Sequence, residues 1–370
     1  MTPTERPFLA VTSDSYDLRK SLHEALKIRE PRASIPIGLV GCGWIGGLQL
    51  ESYAAHGFNV VALFDREAER ASRYRDRFFP QAEVCESLDS LIAHPRVKVV
   101  DVATHLEGRS ETILRCLTGG LNVLSQKPFA NDLAVGEALS RAARTRNVAL
   151  AVNQNGRWAP HFAAMLAAVR AGIIGDVVSA DFAVAWPHDL VVESKPAFAE
   201  MNDLVLFDFG AHWFDLVGVL APLAPLVVHA VTLARPGQTI AAPLQASVII
   251  SGEGFISTLD FRAGERFEET GQYRVSGTHG AVTHTGRSLG GSSVAVYSTD
   301  RSATVSVSEG WFLHGLAGAM RELLVCVETG KAPAHNPESA MRGLSIAFAA
   351  LESARTGRPV DVGSVQTRDG

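Results

Sequence analysis

The sequence contains few cysteines, and none of them lie close together. Its 370 residues include four cysteines, with no Cys-x-x-Cys pair among them: Cys42, Cys85, Cys116 and Cys326. This spacing indicates neither a zinc site nor a disulfide framework. Because free cysteines are typical of a reducing compartment, we expect a cytoplasmic protein without a bound metal.

Long apolar segments are also missing. No stretch approaches the ~20 apolar residues that cross a bilayer, and the N-terminal segment lacks the charged, apolar and small-residue regions of a signal peptide. Charges nearly balance, with 34 Lys and Arg against 39 Asp and Glu. No basic block is present that would follow a phosphate backbone or an anionic membrane. The sequence therefore argues against secretion, membrane insertion and nucleic-acid binding.

The overall amino-acid composition is typical of globular proteins. Hydrophobic residues make up 46% of the chain and charged residues 20%, which supports a packed core, and the length suits two domains. Residues 1–33 are polar and contain several prolines, with one short helix predicted over Leu18–Ile28. We interpret residues 1–33 as an appended arm.

Residues 34–154 alternate short apolar runs with helical patterns. Near-continuous apolar strands separated by helices predict a parallel sheet covered on both faces, as in the doubly wound α/β fold of Rossmann type. The predicted strands are Ile37–Val40, Phe58–Phe64, Val97–Ala103, Leu121–Leu124 and Val148–Val152.

Residues 155–362 follow a different pattern. After a predicted helix at Ala159–Ala171, successive strands alternate apolar with polar residues and are joined by Gly-rich turns, which predicts an α+β domain with a large, open, mostly antiparallel sheet. The predicted strands are Val177–Ala185, Leu226–Leu233, Ala246–Ser251, Phe255–Phe261, Tyr273–Ser276, Val294–Ser298 and Thr304–Ser308. Two closing helices are predicted at Leu313–Thr329 and Pro337–Arg355.

A glycine-rich turn follows the first strand directly. The segment 41–46 fits the G-x-G-x-x-G pattern, whose glycines permit a tight turn and the close approach of a pyrophosphate to the N–H groups of a helix start. Asp65 ends the next strand, close to the ~20-residue spacing of the acid that binds the ribose. The expected cofactor contacts are Gly41, Gly43, Trp44, Ile45, Gly46, Asp65 and Arg66. Asp65 favours NAD, whereas the adjacent Arg66 leaves NADP open.

A lysine follows the fourth predicted strand, in the run Ser125-Gln126-Lys127-Pro128. Open parallel sheets bind ligands at the carboxyl ends of their strands, so we expect Lys127 to face the crevice where cofactor and substrate meet. Its ammonium would hydrogen-bond a substrate hydroxyl and stabilise the oxygen as it gains alkoxide character during hydride loss. The alternative is an ordinary surface lysine on a loop.

Ionisable residues concentrate in the run from Asp208 to Asp215. If the run is helical, Asp208 and His212 share one face at i, i+4, and Asp215 lies one turn beyond. An imidazole flanked by carboxylates is typical of a general base with its orienting groups. The alternative is an amphipathic helix with Asp208 as N-cap and the other two side chains on its solvated face. Gly210 is expected to leave room for a nicotinamide ring.

These three motifs together resemble a known family. The order and spacing of the glycine-rich turn, Lys127-Pro128 and Asp208-x-Gly-x-His212-x-x-Asp215 are similar to those of the Gfo/Idh/MocA oxidoreductases, typified by glucose-fructose oxidoreductase and myo-inositol dehydrogenase. The resemblance spans about residues 35–362. It implies a Rossmann domain followed by an α+β domain, and it implies that Lys127, Asp208 and His212 surround the nicotinamide and the substrate.

Two positions depart from the family's pattern. Gln126 stands where the family has a glutamate, so a carboxylate beside Lys127 is missing. In the segment 103–109, His105 replaces the family's proline and Arg109 replaces its histidine. Both departures are expected to alter contacts around the nicotinamide ribose or the substrate. The cofactor contacts expected from these segments are Thr104, His105, Gln126 and Lys127.

Further substrate contacts are predicted where the second domain begins. The segment Asn153-Gln-Asn155-Gly-Arg157-Trp resembles the family's substrate-facing segment, and its side chains suit hydroxyl or carboxylate groups, although Arg157 alternatively forms an interdomain ion pair. Trp186 and His188 end a strand and are expected to close the pocket over a polyol, with an ordinary surface histidine as the alternative for His188. This segment and the Gln-Lys-Pro signature resemble pentose dehydrogenases such as those acting on D-apiose.

The sequence therefore predicts an NAD(P)-dependent dehydrogenase of a sugar, polyol or related carbohydrate. His212 would act as general base, Lys127 would hold the reacting oxygen, and Asp208 would orient the substrate or the imidazole. Two alternatives stay open: a nucleotide-binding sensor or corepressor of the same fold, and an enzyme acting on an imine, an enone or a dihydrodiol. We expect a homodimer or homotetramer formed through the second sheet.

Overall fold

The first half of the chain folds around a parallel sheet. The computed structural model describes residues 15–27, 29–31, 34–193, 201, 203–287, 293–299, 301–308 and 310–370. Six strands lie in the order β3-β2-β1-β4-β5-β6. They are β1 (Ile37–Val40), β2 (Val60–Phe64), β3 (Glu83–Val84), β4 (Val99–Val102), β5 (Asn122–Gln126) and β6 (Leu150–Asn153). The helices between them are α2 (Trp44–Ala55), α3 (Ala68–Phe78), α4 (Leu88–Ile92), α5 (Arg109–Thr118) and α6 (Leu133–Arg146).

The burial of these strands explains why their sequences are apolar throughout. Every residue of β1, β4 and β6 is buried, as expected where helices cover both faces of a parallel sheet. The predicted Rossmann-type fold is confirmed. The strand β3 escaped prediction because two residues, Glu83 and Val84, are too few to show a pattern. The strand order reverses between β1 and β4, which opens a ligand crevice at their carboxyl ends.

The second half of the chain forms a nine-stranded sheet in the order β14-β13-β12-β11-β7-β10-β9-β8-β15. The strand β7 pairs in parallel with β10, and the other neighbours are antiparallel. The strands are β7 (Val177–Ala185), β8 (Leu226–Leu233), β9 (Gln245–Gly252), β10 (Phe255–Arg262), β11 (Thr270–Gly277), β12 (Gly280–Gly286), β13 (Ser293–Ser298), β14 (Ser302–Ser306) and β15 (Val360–Asp361). The predicted α+β architecture is confirmed, with β12 and the short β15 as additions.

Helices cover one face of this sheet. They are a 3-10 turn (Asn155–Trp158), α7 (Pro160–Arg170), α8 (His188–Glu193), a π-helical turn (Val205–Phe209), α9 (Ala211–Leu220), α10 (Trp311–Thr329) and α11 (Pro337–Thr356). Burial alternates along β8, β9 and β10, so the opposite face of the sheet is exposed, as the alternating sequence predicted. That exposed face carries Val231, Leu233, Ile249 and Ile256.

Two elements connect the halves of the molecule. Helix α10 packs on α2, and its Met320, Leu323 and Leu324 belong to the same apolar cluster as residues of β1. The C-terminal segment returns to the parallel sheet, where the N–H of Leu133 donates to the carbonyl of Gln366 at 2.9 Å. The region between the two sheets is therefore closed by tertiary contacts rather than by a single linker.

The predicted N-terminal arm contributes one helix, α1 (Tyr16–Ala25). The Ser15 hydroxyl accepts a hydrogen bond from the backbone N–H of Leu18 at 3.3 Å, and Leu18 and Leu22 are buried where the helix packs on α7 and β14. The predicted end of the helix at Ile28 lies outside the described residues. Within the part of the chain that the structure describes, no helix combines the length and apolar character needed to cross a membrane.

Candidate active site

The glycine-rich turn between β1 and α2 has the shape that a dinucleotide requires. Gly41 has φ +98°, and a Cβ there would lie 2.9 Å from the backbone of Ala103. A Cβ on Gly46 would lie 2.0 Å from the carbonyl oxygen of Gly41, so the helix could not approach the strand. A Cβ on Gly43 would meet nothing within 4 Å, and this open side faces outward at the N-cap of α2, where helix N–H groups favour an anion.

Asp65 joins this turn from the end of β2. One of its carboxylate oxygens accepts from the N–H of Cys42 at 2.7 Å and the other from the N–H of Glu67 at 2.8 Å. The carboxylate is therefore held beside the glycine-rich turn, which is the place predicted for a ribose-binding acid. Arg66 is exposed beside it, and Trp44 is partly exposed at the first turn of α2, with its ring edge-on to Phe312 at 5.9 Å.

The segments after β4 and β5 supply the next predicted residues. Thr104 is half-buried with its hydroxyl oxygen enclosed and without a hydrogen-bond partner among the described residues, whereas His105 is exposed. The Gln126 side-chain oxygen accepts from the N–H of Lys127 at 2.7 Å. Gln126 therefore turns its side-chain carbonyl group back onto its own loop.

Lys127, Asp208 and His188 form a contiguous polar cluster. The Lys127 ammonium donates to one carboxylate oxygen of Asp208 at 3.0 Å and to its backbone carbonyl at 3.1 Å. The other carboxylate oxygen lies 3.5 Å from Nε2 of His188. Burial raises the pKa of the Asp208 carboxyl, but the Lys127 charge and the His188 contact outweigh it and hold that pKa well below its usual range. Asp208 is thus ionised, and His188 is a buried site residue rather than a surface histidine.

His212 lies next to this cluster but is held differently from the prediction. Burial, followed by the charge of Lys127, lowers the pKa of its imidazole to about 3, and Asp208 opposes the shift. Its Nδ1 is enclosed without a hydrogen-bond partner among the described residues. The ring is edge-on to Trp311 at a centroid distance of 5.3 Å. The imidazole is therefore neutral at working pH values and able to accept a proton.

The backbone of the 208–215 run changes type within the motif. Residues 205–209 form a π-helical turn, and α9 begins only at Ala211, so Asp208 and His212 do not belong to one α-helix. Gly210 accommodates this junction: a Cβ there would lie 2.8 Å from the carbonyl oxygen of Leu206 and 3.0 Å from the ring of Phe214. The expectation that Gly210 leaves room for a nicotinamide ring is wrong, because helix backbone and an aromatic ring occupy that space.

Asp215 pairs with an arginine instead of with His212. The guanidinium of Arg157 donates from two nitrogens to the two carboxylate oxygens of Asp215, both at 2.6 Å. Its remaining donors reach the carbonyl of Ala334 at 2.8 Å and the hydroxyl of Ser339 at 2.9 Å. Arg157 therefore forms an ion pair, as in the alternative interpretation, but the pair lies within the second half of the chain and not between the domains. Asp215 has a structural role.

The remaining predicted substrate contacts differ in whether their polar groups already have hydrogen-bond partners. Both amide atoms of Asn153 are buried without a hydrogen-bond partner among the described residues, at the end of β6 beside Gln126. The side-chain oxygen of Asn155, by contrast, accepts from the indole N–H of Trp311 at 2.8 Å. Trp186 is half-buried, with its ring 5.4 Å from that of His188.

Two residues at the site lay outside the predicted set. Trp311 contacts both His212 and Asn155, but it opens a long helix without any local functional motif, so only the tertiary fold reveals it. Arg109 was noted as a departure expected to alter contacts around the ribose or the substrate, but it was given no role of its own; it is buried and bonds the loop of Lys127. Its position in the segment after β4 was the available signal.

The site suits a dinucleotide cofactor. The open side of Gly43, the held carboxylate of Asp65 and the enclosed, unpartnered polar atoms of Thr104, Asn153 and His212 provide surfaces for a phosphate, a ribose and further polar groups. Among the described residues, no group of three or more His, Cys, Asp or Glu side chains is arranged to hold a metal ion.

Comparison with protein families gives two matches. Residues 35–154 match the model of an oxidoreductase family with an NAD-binding Rossmann fold, and residues 162–283 match the GFO/IDH/MocA C-terminal domain. Between them, the matches cover more than half of the chain.

Comparison with individual proteins gives both full-length and partial relatives. D-apiose dehydrogenase of Paraburkholderia graminis is 25% identical over 343 residues, which cover 89% of this chain and 90% of the relative. Inositol 2-dehydrogenase of Gluconacetobacter diazotrophicus is 30% identical over 148 residues, which cover 39% of this chain and 44% of the relative. This second match therefore covers less than half of either chain.

Solved structures share the fold over nearly the whole length. An oxidoreductase from Agrobacterium radiobacter in complex with NAD+, L-tartaric acid and magnesium superposes with a TM-score of 0.78 at 21% identity, over 90% of this chain and 99% of the other. Levoglucosan dehydrogenase in complex with NADH and levoglucosan gives a TM-score of 0.74 at 18% identity, over 89% and 100% of the two chains. At these identities the likeness shows the fold alone.

Proposed function

Because the chain belongs to the Gfo/Idh/MocA family of oxidoreductases and carries its NAD-binding Rossmann domain, we propose that it oxidises a hydroxyl group of a sugar, a polyol or a related carbohydrate. The observation that carries the proposal is the cluster of Lys127, Asp208 and His212, beyond the glycine-rich turn that suits the cofactor. Asp208 is ionised and His212 is neutral, as the proposed hydroxyl oxidation needs.

NAD, when bound, supplies the acceptor for the hydride. Lys127 donates a hydrogen bond to the reacting oxygen, and Asp208 holds the ammonium in place from the opposite side. His212 takes the hydroxyl proton in its neutral form. An imidazole of such low pKa is a weak base, but the hydrogen bond from Lys127 stabilises the alkoxide character of the oxygen, so the proton can pass to His212 as the hydride leaves.

Asp208 links Lys127 to a second histidine. Its carboxylate faces Lys127 on one oxygen and His188 on the other, and its negative charge favours the protonated form of His212, so it compensates the charge that develops when His212 takes up a proton. We assign His188 to this cluster as a group that orients Asp208, with Trp186 beside it as the wall of the substrate site. The side-chain amide of Asn153 has no hydrogen-bond partner among the described residues, and we propose that it hydrogen-bonds a hydroxyl of the substrate or the cofactor.

The substrate class is proposed from the relatives as well as from the residues of the site. The relative that matches over most of its length acts on a pentose, and the partial relatives include dehydrogenases of inositols. We therefore propose a pentose or a cyclic polyol with adjacent hydroxyls as the substrate. NAD is preferred over NADP because the Asp65 carboxylate would repel a 2′-phosphate, although the exposed Arg66 reduces that preference.

The test is cofactor reduction, followed by NADH absorbance, over a panel of pentoses, hexoses and inositols. We expect turnover with at least one class, and we expect His212→Ala to lose about 10²- to 10⁴-fold in kcat while NADH still binds. His279→Ala, which alters an exposed histidine, is the matched control. Unchanged kcat in His212→Ala would remove the assigned base, and nucleotide binding without any turnover would favour a sensor. Reduction of an imine, an enone or a dihydrodiol alone would move the activity to a non-sugar class.

The assembly and location are proposed on separate grounds. The exposed face of the nine-stranded sheet carries aliphatic side chains that are about half accessible, such as Val231 at 58% and Ile249 at 48%. Such a face is typical of a buried interface, so we propose a homodimer or homotetramer formed through it. All four cysteines are unpaired and buried, which fits the cytoplasm.

A further inference from the structure

Arg109 occupies a position that connects the two loops of the proposed site. Its Nε and one terminal nitrogen donate to the carbonyl of Thr104 at 3.0 and 2.7 Å. The other terminal nitrogen donates to the carbonyls of Gln126 and Pro128 at 2.6 and 2.5 Å. The guanidinium therefore ties the chain after β4 to the chain after β5, and two of its contacts lie on either side of Lys127.

The local fold directs the side chain to this place. Arg109 is the first residue of α5, after Gly108 in a left-handed conformation with φ +71°. Side chains of a first helical turn tilt towards the N-terminus of the helix, and here that direction leads under the ends of β4 and β5. At 3% exposure the guanidinium is shielded from water.

The charge of Arg109 has no directly bonded carboxylate. Within the described residues its hydrogen bonds go only to carbonyl groups. Burial lowers the pKa of its guanidinium, and the Asp208 carboxylate opposes that shift through its field. Removing a cation from water is costly, and short, charge-assisted hydrogen bonds must offset that cost. These hydrogen bonds hold the two loops together.

We propose that Arg109 is a positioning residue for hydride transfer, which fixes the backbone on both sides of Lys127 and thereby places the ammonium at the reacting oxygen. The inference rests on the proposed function. The N–H of Lys127 is also held by Gln126, so the Arg109 contacts and this bond together restrain the backbone at Lys127 and on both sides of it. Lysine cannot replace arginine here, because an ammonium lacks the planar fork that spans carbonyls of two segments.

The test compares Arg109→Ala and Arg109→Lys with Arg115→Ala, which alters an exposed arginine of the same helix. A misplacement of ~1 Å costs about 10²-fold in rate, so we expect both Arg109 variants to lose roughly 10- to 100-fold in kcat. NADH affinity should fall less than kcat, because Arg109 bonds two of the expected cofactor contacts, Thr104 and Gln126, but neither the glycine-rich turn nor Asp65. Millimolar guanidinium, but not sodium chloride, should restore part of the kcat of Arg109→Ala.

Three outcomes would overturn the proposal. The first is wild-type kcat in both variants. The second is a parallel loss of kcat, NADH binding and thermal stability that guanidinium does not restore, which would make Arg109 a residue of fold stability alone. The third is a crystal structure of Arg109→Ala in which Lys127 keeps its contact with Asp208. This last measurement needs no turnover, so an inactive wild-type protein would refute the proposed function and still leave the role of Arg109 decidable.

Discussion

Asp101 allows the effect of burial on ionisation to be tested in the core of the parallel sheet. The residue lies in β4 and is fully buried. One carboxylate oxygen accepts from the hydroxyl of Tyr53 at 2.5 Å and from the side-chain amide of Gln49 at 2.7 Å. Burial raises the pKa of the Asp101 carboxyl to about 7, although both hydrogen bonds lower it. The folded protein therefore favours the protonated acid near neutral pH.

The sign and size of the effect on stability follow from this shift. The unfolded chain has a pKa near 3.8 and the folded protein one of about 7. Between these values the folded state binds the Asp101 proton more tightly than the unfolded chain does. The stabilisation of the folded state by this proton is fully present below the unfolded pKa and is lost as pH rises through about 7. At 1.36 kcal/mol for each pKa unit, this shift changes the free energy of unfolding by about 4 kcal/mol.

Asp101→Asn removes this dependence while keeping the shape. The asparagine oxygen can accept from both Tyr53 and Gln49, but its amide donor replaces an oxygen that has no hydrogen-bond partner among the described residues. An unsatisfied buried donor costs about 1–3 kcal/mol. At pH 8 we therefore expect the variant to be more stable than the wild type by about 1–3 kcal/mol, and at pH 5 we expect the difference to shrink or reverse.

The assay is urea unfolding of both proteins at pH 5 and pH 8. Because the comparison is a difference between pH values within a pair of proteins, other titrating groups cancel to first order. Asp76→Asn, which alters an exposed carboxylate, is the matched control and should show little change. An equal stability difference at the two pH values, or a gain at pH 5 instead of pH 8, would refute the reasoning.

Three further predictions concern the cofactor, the core and the assembly. Asp65→Ala should raise KM for NAD about tenfold or more, which corresponds to a loss of ~1.4 kcal/mol in binding free energy, and it should raise KM for NADP less. Equal effects on both cofactors would contradict the ribose contact. Arg157→Met leaves Asp215 buried without its partner and should cost about 3–5 kcal/mol in urea unfolding, whereas a loss below ~1 kcal/mol would be typical of an exposed pair. Ile249→Glu places a charge on the exposed sheet face and should reduce the mass measured by light scattering; a wild-type monomer would refute the proposed interface.

Much of the fold could be predicted because it depends on local patterns. Buried parallel strands are apolar throughout and half-exposed strands alternate, so β7 and β8 were predicted at their observed bounds, Val177–Ala185 and Leu226–Leu233. The glycine-rich turn could also be predicted, since Gly41 and Gly46 each answer a local steric demand. The elements that escaped prediction were β3 and β15, each of two residues, and β12, where glycine and threonine obscure the alternation.

The candidate site could be predicted only in part, because its contacts join distant segments. The sequence by itself determined that Lys127 follows a parallel strand at the edge of the sheet that faces the crevice. The family resemblance implied that Asp208 and His212 join it, and their closeness to a bound cofactor stays a prediction. Only the tertiary structure decided which side chains touch. Asp215 pairs with Arg157, 58 residues away, and Asp208 with Lys127, 81 residues away.

The same limit explains the two residues that the sequence left without a role. The sequence determines backbone type through short-range sterics and periodicity, and these reach only a few residues along the chain. The carbonyls held by Arg109 and the indole of Trp311 become partners only when separate strands and helices pack together. Side-chain partners across the fold depend on distances of a few ångströms that packing alone sets, and this is why the chemistry could be predicted in outline while its geometry required the structure.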